Sequence, residues 1–181
     1  MQDFFKNLVK DLEVDLTDAF DRNFENKSFF GKAWAPTTLP NNRGTVMMRS
    51  GKLRKSIKAK VSGNQISWTS SLPYASLQNE GGEVIVTQKM KSYFWAMYYK
   101  STNAVVFSVK TKAAAKTQRN AKLSAEAKMW QSLALQKVGA KMKIKQRQFI
   151  GDHPQVSQRI KKVIDNNMKE IAAQIKNNFK R

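Results

Sequence analysis

Cysteine is absent from the chain, histidine occurs once, and 13 acidic residues stand against 33 lysines and arginines. Without cysteine there is no disulfide and no thiolate zinc set, a composition compatible with a reducing cytosol. The single imidazole, His153, reads as a lone solvent-facing residue at a helix start, and acids are few after Glu25, so no metal set is predicted. No nucleophile stands with a base and an orienting group, and neither a P-loop nor a Gly-rich dinucleotide fingerprint occurs. Glu80, beside Gly81-Gly82, is one carboxylate without a mate, so paired acid–base catalysis has no candidate. The expectation is a protein that is not an enzyme, with no catalytic residues, no cofactor and no metal. No run of about 18 apolar residues is present to span a bilayer. The amino terminus, MQDFFKNLVKDLEVDL, carries acids inside its apolar pattern, unlike a signal peptide. The composition predicts a soluble intracellular product without a membrane partner.

What the chain does have is positive charge, unevenly placed. The formal net charge is +20 over 181 residues. Residues 1–26 hold 3 basic and 7 acidic residues, whereas residues 84–148 hold 14 basic and 1 acidic. Such a balance points to a polyanionic partner or surroundings and is silent about fold. With 41% hydrophobic and 10% aromatic residues the chain is globular, sized for one domain or one domain with an insertion.

The stretch from Met48 to Gly82 looks like the organising segment. Ile57, Ala59 and Val61 alternate with Lys58 and Lys60, then Ser62-Gly63-Asn64 turns, and Ile66 and Trp68 alternate on the way back. This is a β-hairpin with one face that must be covered, because an isolated hairpin is marginal in water. Upstream, Phe5, Leu8, Val9, Leu12, Leu16, Ala19, Phe20 and Phe24 mark an amphipathic helix over about Asp3 to Asn23. Its acidic back, with Asp3, Asp11, Asp15 and Asp18, belongs to a helix laid on the sheet or, more sharply read, docks a basic neighbouring subunit. Between Asn26 and Thr45 loop chemistry takes over, and Trp34 within it reads as an anchor. Gly51 permits a bend, Leu53 plugs the sheet edge, and Arg49, Lys52, Arg54 and Lys55 stay wet.

After the hairpin, Pro73-Tyr74-Ala75 opens a short helical segment ending at Gly81-Gly82. Two successive glycines suggest positive φ or a close approach by another chain. A strand over Glu83 to Thr87 and a short aromatic helix over Lys89 to Tyr99 follow. Asn103 to Val109 suits a strand or a buried linker. A helix from Lys112 to Lys137 carries Lys112, Lys116, Arg119 and Lys122 on one side, a candidate polyanion-binding set. Trp95, Tyr98, Tyr99 and Trp130 interleave with basic residues and are either core or part of a phosphate-reading surface, sequence-independent and salt-dependent. A strand at Met142 and Ile144 precedes a final helix, with Asp152 and Gln155 as a capping box, Pro154 in the first turn, and a stripe from Val156 to Phe179.

Four of these segments resemble the tailed-phage virion morphogenesis family, the tail-completion or head–tail joining proteins of Mu-like and P2-like phages. Met48 to Ile57, MRSGKLRKSI, is similar to its "[ST]-G-x-L-x-x-S-I" segment; Tyr74-Ala75 with Gln78-Asn79-Glu80-Gly81-Gly82 resembles "Y-A-x-x-H-x-x-G-G"; Ile144 to Gly151, IKQRQFIG, resembles "I-P-x-R-x-F-[IL]-G"; and Trp34-Ala35-Pro36 matches an upstream tryptophan–proline loop. Gln78 stands where histidine is common and Lys145 where proline is common.

The resemblance implies an α+β subunit, a small antiparallel sheet packed by long N-terminal and C-terminal helices, that finishes the tail or joins it to the head. It implies a core of residues 1–87 and 141–181, with 88–140 left over as a basic, mainly helical insertion. Trp34, Arg49, Gly51, Tyr74, Gln78, Gly81, Gly82, Arg147 and Phe149 would shape the subunit and its contacts, Arg147 through an inter-subunit or acid-pairing role. Partners would be other head–tail connector or tail proteins and copies of itself in a ring, with non-specific DNA contact by the insertion. The product would move from host cytoplasm to virion. A nucleic-acid-binding module using the basic insertion is the rival reading.

Overall fold

The first apolar stripe becomes α1 (Gln2–Asn26), close to the span its periodicity predicts. The structure, a computed structural model, describes residues 2–37, 44–107 and 112–178. After α1 come β1 (Ser28–Phe29), β2 (Lys32–Ala33), α2 (Lys52–Ser56), β3 (Ile57–Ser62), β4 (Gln65–Ser70) and α3 (Ala75–Glu80). Then follow β5 (Gly82–Ile85), α4 (Gln88–Asn103), α5 (Gln118–Ala134), β6 (Lys141–Ile144) and α6 (Pro154–Asn178). Strands pair antiparallel as β1–β2, β3–β4 and β5–β6. The class is α+β, with a long helix at each end of the chain and small antiparallel sheets between.

The described chain divides into two compact units, one of residues 2–36, 44–81 and 145–178, the other of residues 82–144 with Thr37. The strand pair β5–β6 therefore lies in the second unit with α4 and α5.

In the first unit the hairpin β3–β4 has the expected register, with Ala59 opposite Trp68 and Val61 opposite Ile66 on one face. Helix α1 covers that face near Trp68, whose Nε1–H donates to Thr17 Oγ1 at 2.9 Å and whose ring meets Phe20 edge-on at 5.2 Å. Cover fades toward the turn. Val61 is 40% exposed and lines an open groove of about 560 Å³ with Phe5, Val9 and Gly63.

No hairpin residue is fully buried, and the Met48–Gly82 stretch expected to organise the chain gives the core Leu53 and Ala75. Both buried clusters of this unit gather on α1. Its Leu16 and Phe20 pack with Phe29, and its Phe24 packs with Trp34, Leu53, Ala75 and Phe149. A two-stranded ribbon has one shallow face, while a seven-turn helix offers a stripe long enough to seat aromatics arriving from several loops.

Helix α6 joins the same layer: Val156 and Ile160 pack on the Leu16–Phe20–Phe29 cluster, Arg159 pairs with Asp15 at 2.9 Å, and Asn167 Nδ2 donates to Asp11 at 3.1 Å. Asp18 pairs with Arg22 at 2.8 Å. Arg54 is not left in water as expected. Its guanidinium forks onto both oxygens of Asp21 and reaches Glu25 at 2.7 Å. Hydrogen bonds to Asp21 first and Glu25 second hold its pKa above the ordinary arginine range. Of the acidic back, Asp11, Asp15 and Asp18 have partners inside the chain and the side chain of Asp3 lies outside those described, and the apolar stripe of α1 is laid on this unit's own core.

His153 is half-buried rather than solvent-facing, stacked on Phe30 at 4.8 Å and edge-on to Phe29 at 5.5 Å. Its Nδ1 accepts from the Gln155 N–H at 3.2 Å. The cap of α6 thus falls on His153, one residue after the expected Asp152, because Pro154 opens the helix.

In the second unit, α4 and α5 pack through Phe94 and Trp130, stacked at 6.0 Å, with Ala134 beside them. Thr87 and Thr117 cap the two helices, each accepting a backbone N–H at 3.2 Å. Helix α4 runs on to Asn103, so the expected strand over Asn103 to Val109 starts as helix; Val106 and Phe107 are exposed, and Ser108 and Val109 lie outside the described residues. Helix α5 begins only at Gln118, so Lys112 and Lys116 precede it and do not share its face with Arg119 and Lys122.

Candidate functional site

The segments that carry the family-like motifs meet around Phe149 in the first unit. The Phe149 ring lies 5.1 Å from Phe24, and Phe24 is edge-on to Trp34 at 5.5 Å. Trp34 is buried, and its Nε1–H donates to the carbonyl of Gln148 at 2.6 Å, so it is the loop anchor its isolation suggested. Asn79, near the end of α3, accepts two backbone N–H groups on one oxygen, from Phe149 at 2.9 Å and Ile150 at 3.1 Å. Asn23 of α1 donates to the Phe149 carbonyl at 3.2 Å and accepts from the Phe30 N–H at 3.0 Å. The segment after β6 has no strand partner here, and these side chains satisfy its backbone instead.

Arg147 is 9% exposed. Its Nε donates to the Ala35 carbonyl at 2.9 Å, Nη2 to the Pro36 carbonyl at 3.2 Å and Nη1 to Gln78 Oε1 at 3.4 Å, while its backbone N–H donates to the Gln78 carbonyl at 2.8 Å. No carboxylate pairs with it among the described residues, which corrects the acid-pairing expectation: the fork ties the Trp34–Pro36 loop to α3. Burial first, and the charge of Arg49 second, push its pKa below the ordinary arginine range. Backbone carbonyls and an amide oxygen compensate the desolvated charge.

Gly81 has φ +76°, and a Cβ there would stand 3.0 Å from the backbone nitrogen of Gln146. It thus has the positive φ read from the double glycine, and the backbone that comes close is this chain's own, at Gln146. Gly82, at φ +146°, begins β5 in the second unit. Gly51 takes φ +70° at the start of α2 with open space beside it. Tyr74, 42% exposed, and Arg49, also exposed, are the large members of the motif set that face solvent. Gln78, Gly81, Trp34, Arg147 and Phe149 are brought together.

The second unit is the more densely cationic of the two. Residues 82–144 carry twelve lysines and arginines against Glu83 and Glu126. Among its described residues Lys141 alone forms an ion pair, with Glu83 at 3.0 Å. Lys112, Lys116, Arg119 and Lys122 are all exposed, whereas Trp130 is buried and Trp95 and Tyr98 are half-buried.

Sequence reasoning missed Asn120, which is buried and holds the loop between α4 and α5. Its Oδ1 accepts from the Val106 N–H at 3.1 Å, and its Nδ2 donates to the carbonyls of Val106 and Ala115, each at 2.7 Å. We expect Asn120→Ala to lower the stability of this unit by about 2 kcal/mol, since it orphans the part-buried Val106 N–H and takes the second of two donors from the carbonyls of Val106 and Ala115. Faster hydrogen exchange at the Val106 and Ala115 amides would report it; unchanged exchange would count against the tie.

Among the described residues no group of three or more His, Asp or Glu side chains is placed to hold a metal, and no helix is long and apolar enough to cross a membrane. Comparison with protein-family models, with curated proteins and with solved structures returns no match to the chain.

Proposed function

We propose that the protein is a structural subunit of a tailed-phage or prophage virion, of the tail-completion or head–tail joining kind, working through protein–protein contacts and not as an enzyme. The observation that carries this reading is the convergence of the family-like segments: Trp34 bonds to Gln148 across 114 residues, and Gln78, Asn79 and Gly81 close on the same short segment. Residues that mark the likeness in sequence are thus residues on which this unit's core depends. Its partners are other connector or tail proteins and further copies of the chain, with Arg49 and Tyr74 available at the surface. It assembles in host cytoplasm and ends in the virion. Deleting the gene from the phage or prophage should leave heads and tails unjoined or tails incomplete by electron microscopy. Complete, infective particles from the deletion strain would refute the reading.

A second activity, sequence-independent binding of nucleic acid by residues 82–144, is favoured by the unpaired cations there. Such binding weakens steeply with salt, because each neutralised phosphate releases counterions. The two readings are compatible in a particle whose neck surrounds DNA.

A further inference from the structure

We infer that strand β4 is a contact between two copies of this chain, pairing edge to edge with its own counterpart about a two-fold axis at Ser67, so that two hairpins make one four-stranded antiparallel sheet. The inference deepens the self-association in the proposed function and rests on that part of it.

The hairpin turns in two residues, Gly63-Asn64, so Ser62 and Gln65 exchange both backbone bonds, and down the ladder Lys60 does the same with Ser67 and Lys58 with Thr69. The N–H and carbonyl groups of the residues between, Ile57, Ala59 and Val61 on β3 and Ile66 and Trp68 on β4, therefore point away from the partner strand. Ile57 bears this out, its N–H donating outward to the Arg54 carbonyl in α2. Among the described residues nothing bonds to the outward groups of Ile66 and Trp68. An edge left open in this way is a template for another strand, and proteins ordinarily guard it with lysines, proline or a bulge. On β3 the guards are Lys58 and Lys60. Strand β4, QISWTS, has no charge and no proline, and its register with β3 runs unbroken from Gln65 to Ser70.

What fits this edge is the same edge turned round. An antiparallel pair is two-fold symmetric, so with Ser67 opposite Ser67 of the second copy, each Ile66 exchanges its two outward bonds with the other copy's Trp68. Charge favours this occupant. The chain carries +20, and two copies meeting through β3 would set Lys58 and Lys60 against lysines, whereas no charged side chain stands on β4. Head-to-tail pairing of β4 with β3 of another copy fits less well, because the Ile57 N–H is already engaged by α2 and the usable β3 edge is shorter for it. A ribbon of two strands is below the three that a small sheet needs, and the pairing raises it to four.

The test is sedimentation velocity of the purified full chain at about 0.15 M salt, between about 1 µM and about 1 mM, with hydrogen exchange read at single amides. The parent should pass from monomer to dimer as its concentration rises. The Ile66 and Trp68 amides should slow about tenfold once dimer dominates, while those of Ala59 and Val61 keep their rates. Ser67→Asp and Ser67→Lys should each weaken the dimer about fivefold, because like charges then face each other across the axis, and an equal mixture of the two should dimerise at least as well as the parent. Ser67 is exposed, so circular dichroism of both variants should match the parent.

A parent that stays monomeric to about 1 mM, or that dimerises with no change at the Ile66 and Trp68 amides, overturns the contact; the virion reading then stands or falls by the deletion phenotype. Slowing at Ala59 and Val61 as well, with Ser67→Asp tightening association and Ser67→Lys loosening it, means that β4 pairs with β3 of the next copy beside Lys58 and Lys60, and overturns the two-fold arrangement. Parental dimerisation by both Ser67 variants overturns the register at Ser67.

Discussion

Phe149→Ala lowers the free energy of unfolding by about 4 kcal/mol, the cost of removing a large aromatic from a core that cannot collapse around the gap. The ring is 2% exposed and packs with Phe24, Trp34, Leu53 and Ala75. Its own backbone is fixed on both sides, by Asn79 at the N–H and by Asn23 at the carbonyl, so the segment cannot slide inward to refill the space. Phe149→Leu keeps most of the volume and should cost under about 1.5 kcal/mol. Urea denaturation of the two variants, followed by tryptophan fluorescence, measures the difference. An alanine variant within about 1 kcal/mol of the parent would mean that the aromatic cluster is not the centre of the first unit.

Arg147→Lys should cost about 3 kcal/mol, although the charge is conserved. Three guanidinium nitrogens reach three acceptors on two separate segments, and a single ammonium can serve only some of them. The carbonyls of Ala35 and Pro36 would lose their charged donor, and hydrogen bonds to charged groups are worth about 1.5–3 kcal/mol each. Because the tie holds the Trp34–Pro36 loop, limited proteolysis should cut that loop faster in the variant, before global unfolding. A lysine variant with parental stability and an uncut loop would show that the fork contributes nothing that a point charge cannot.

What was legible in the sequence was periodic. The stripes of α1 and α6 and the alternation of β3–β4 come from repeats of 3.6 and 2, which survive whatever packs on them. Arg147 was misread for a physical reason: a buried arginine in a strand-like run suggests an acid, yet its partners are backbone carbonyls, and every residue carries one. Phe29 and Phe149 sit in segments with no period at all, and their burial follows from the stripe on α1 that receives them. The three asparagines had a partial signal. Asn23 and Asn120 occupy positions where the stripes of their helices call for apolar residues, between Phe20 and Phe24 and ahead of Leu123, Ala127 and Trp130. A polar residue on a buried stripe must find a partner, and here each finds loop backbone. Asn79 carried no such mark, and neither did the shift of the α6 cap from Asp152 to His153, since proline fixes the start of a helix only to within a residue.

The pairing of Gly82 with Ile144 carries a consequence for how such a chain can vary over time. Opposed residues of an antiparallel ladder sit only about 5 Å apart, so the sixty-odd residues beyond this rung begin and end at one spot. A tract rooted in this way can lengthen, shrink or be exchanged for a tight turn without rethreading what lies before Gly82 and after Ile144, and the two halves of the gene product are free to diverge at different speeds.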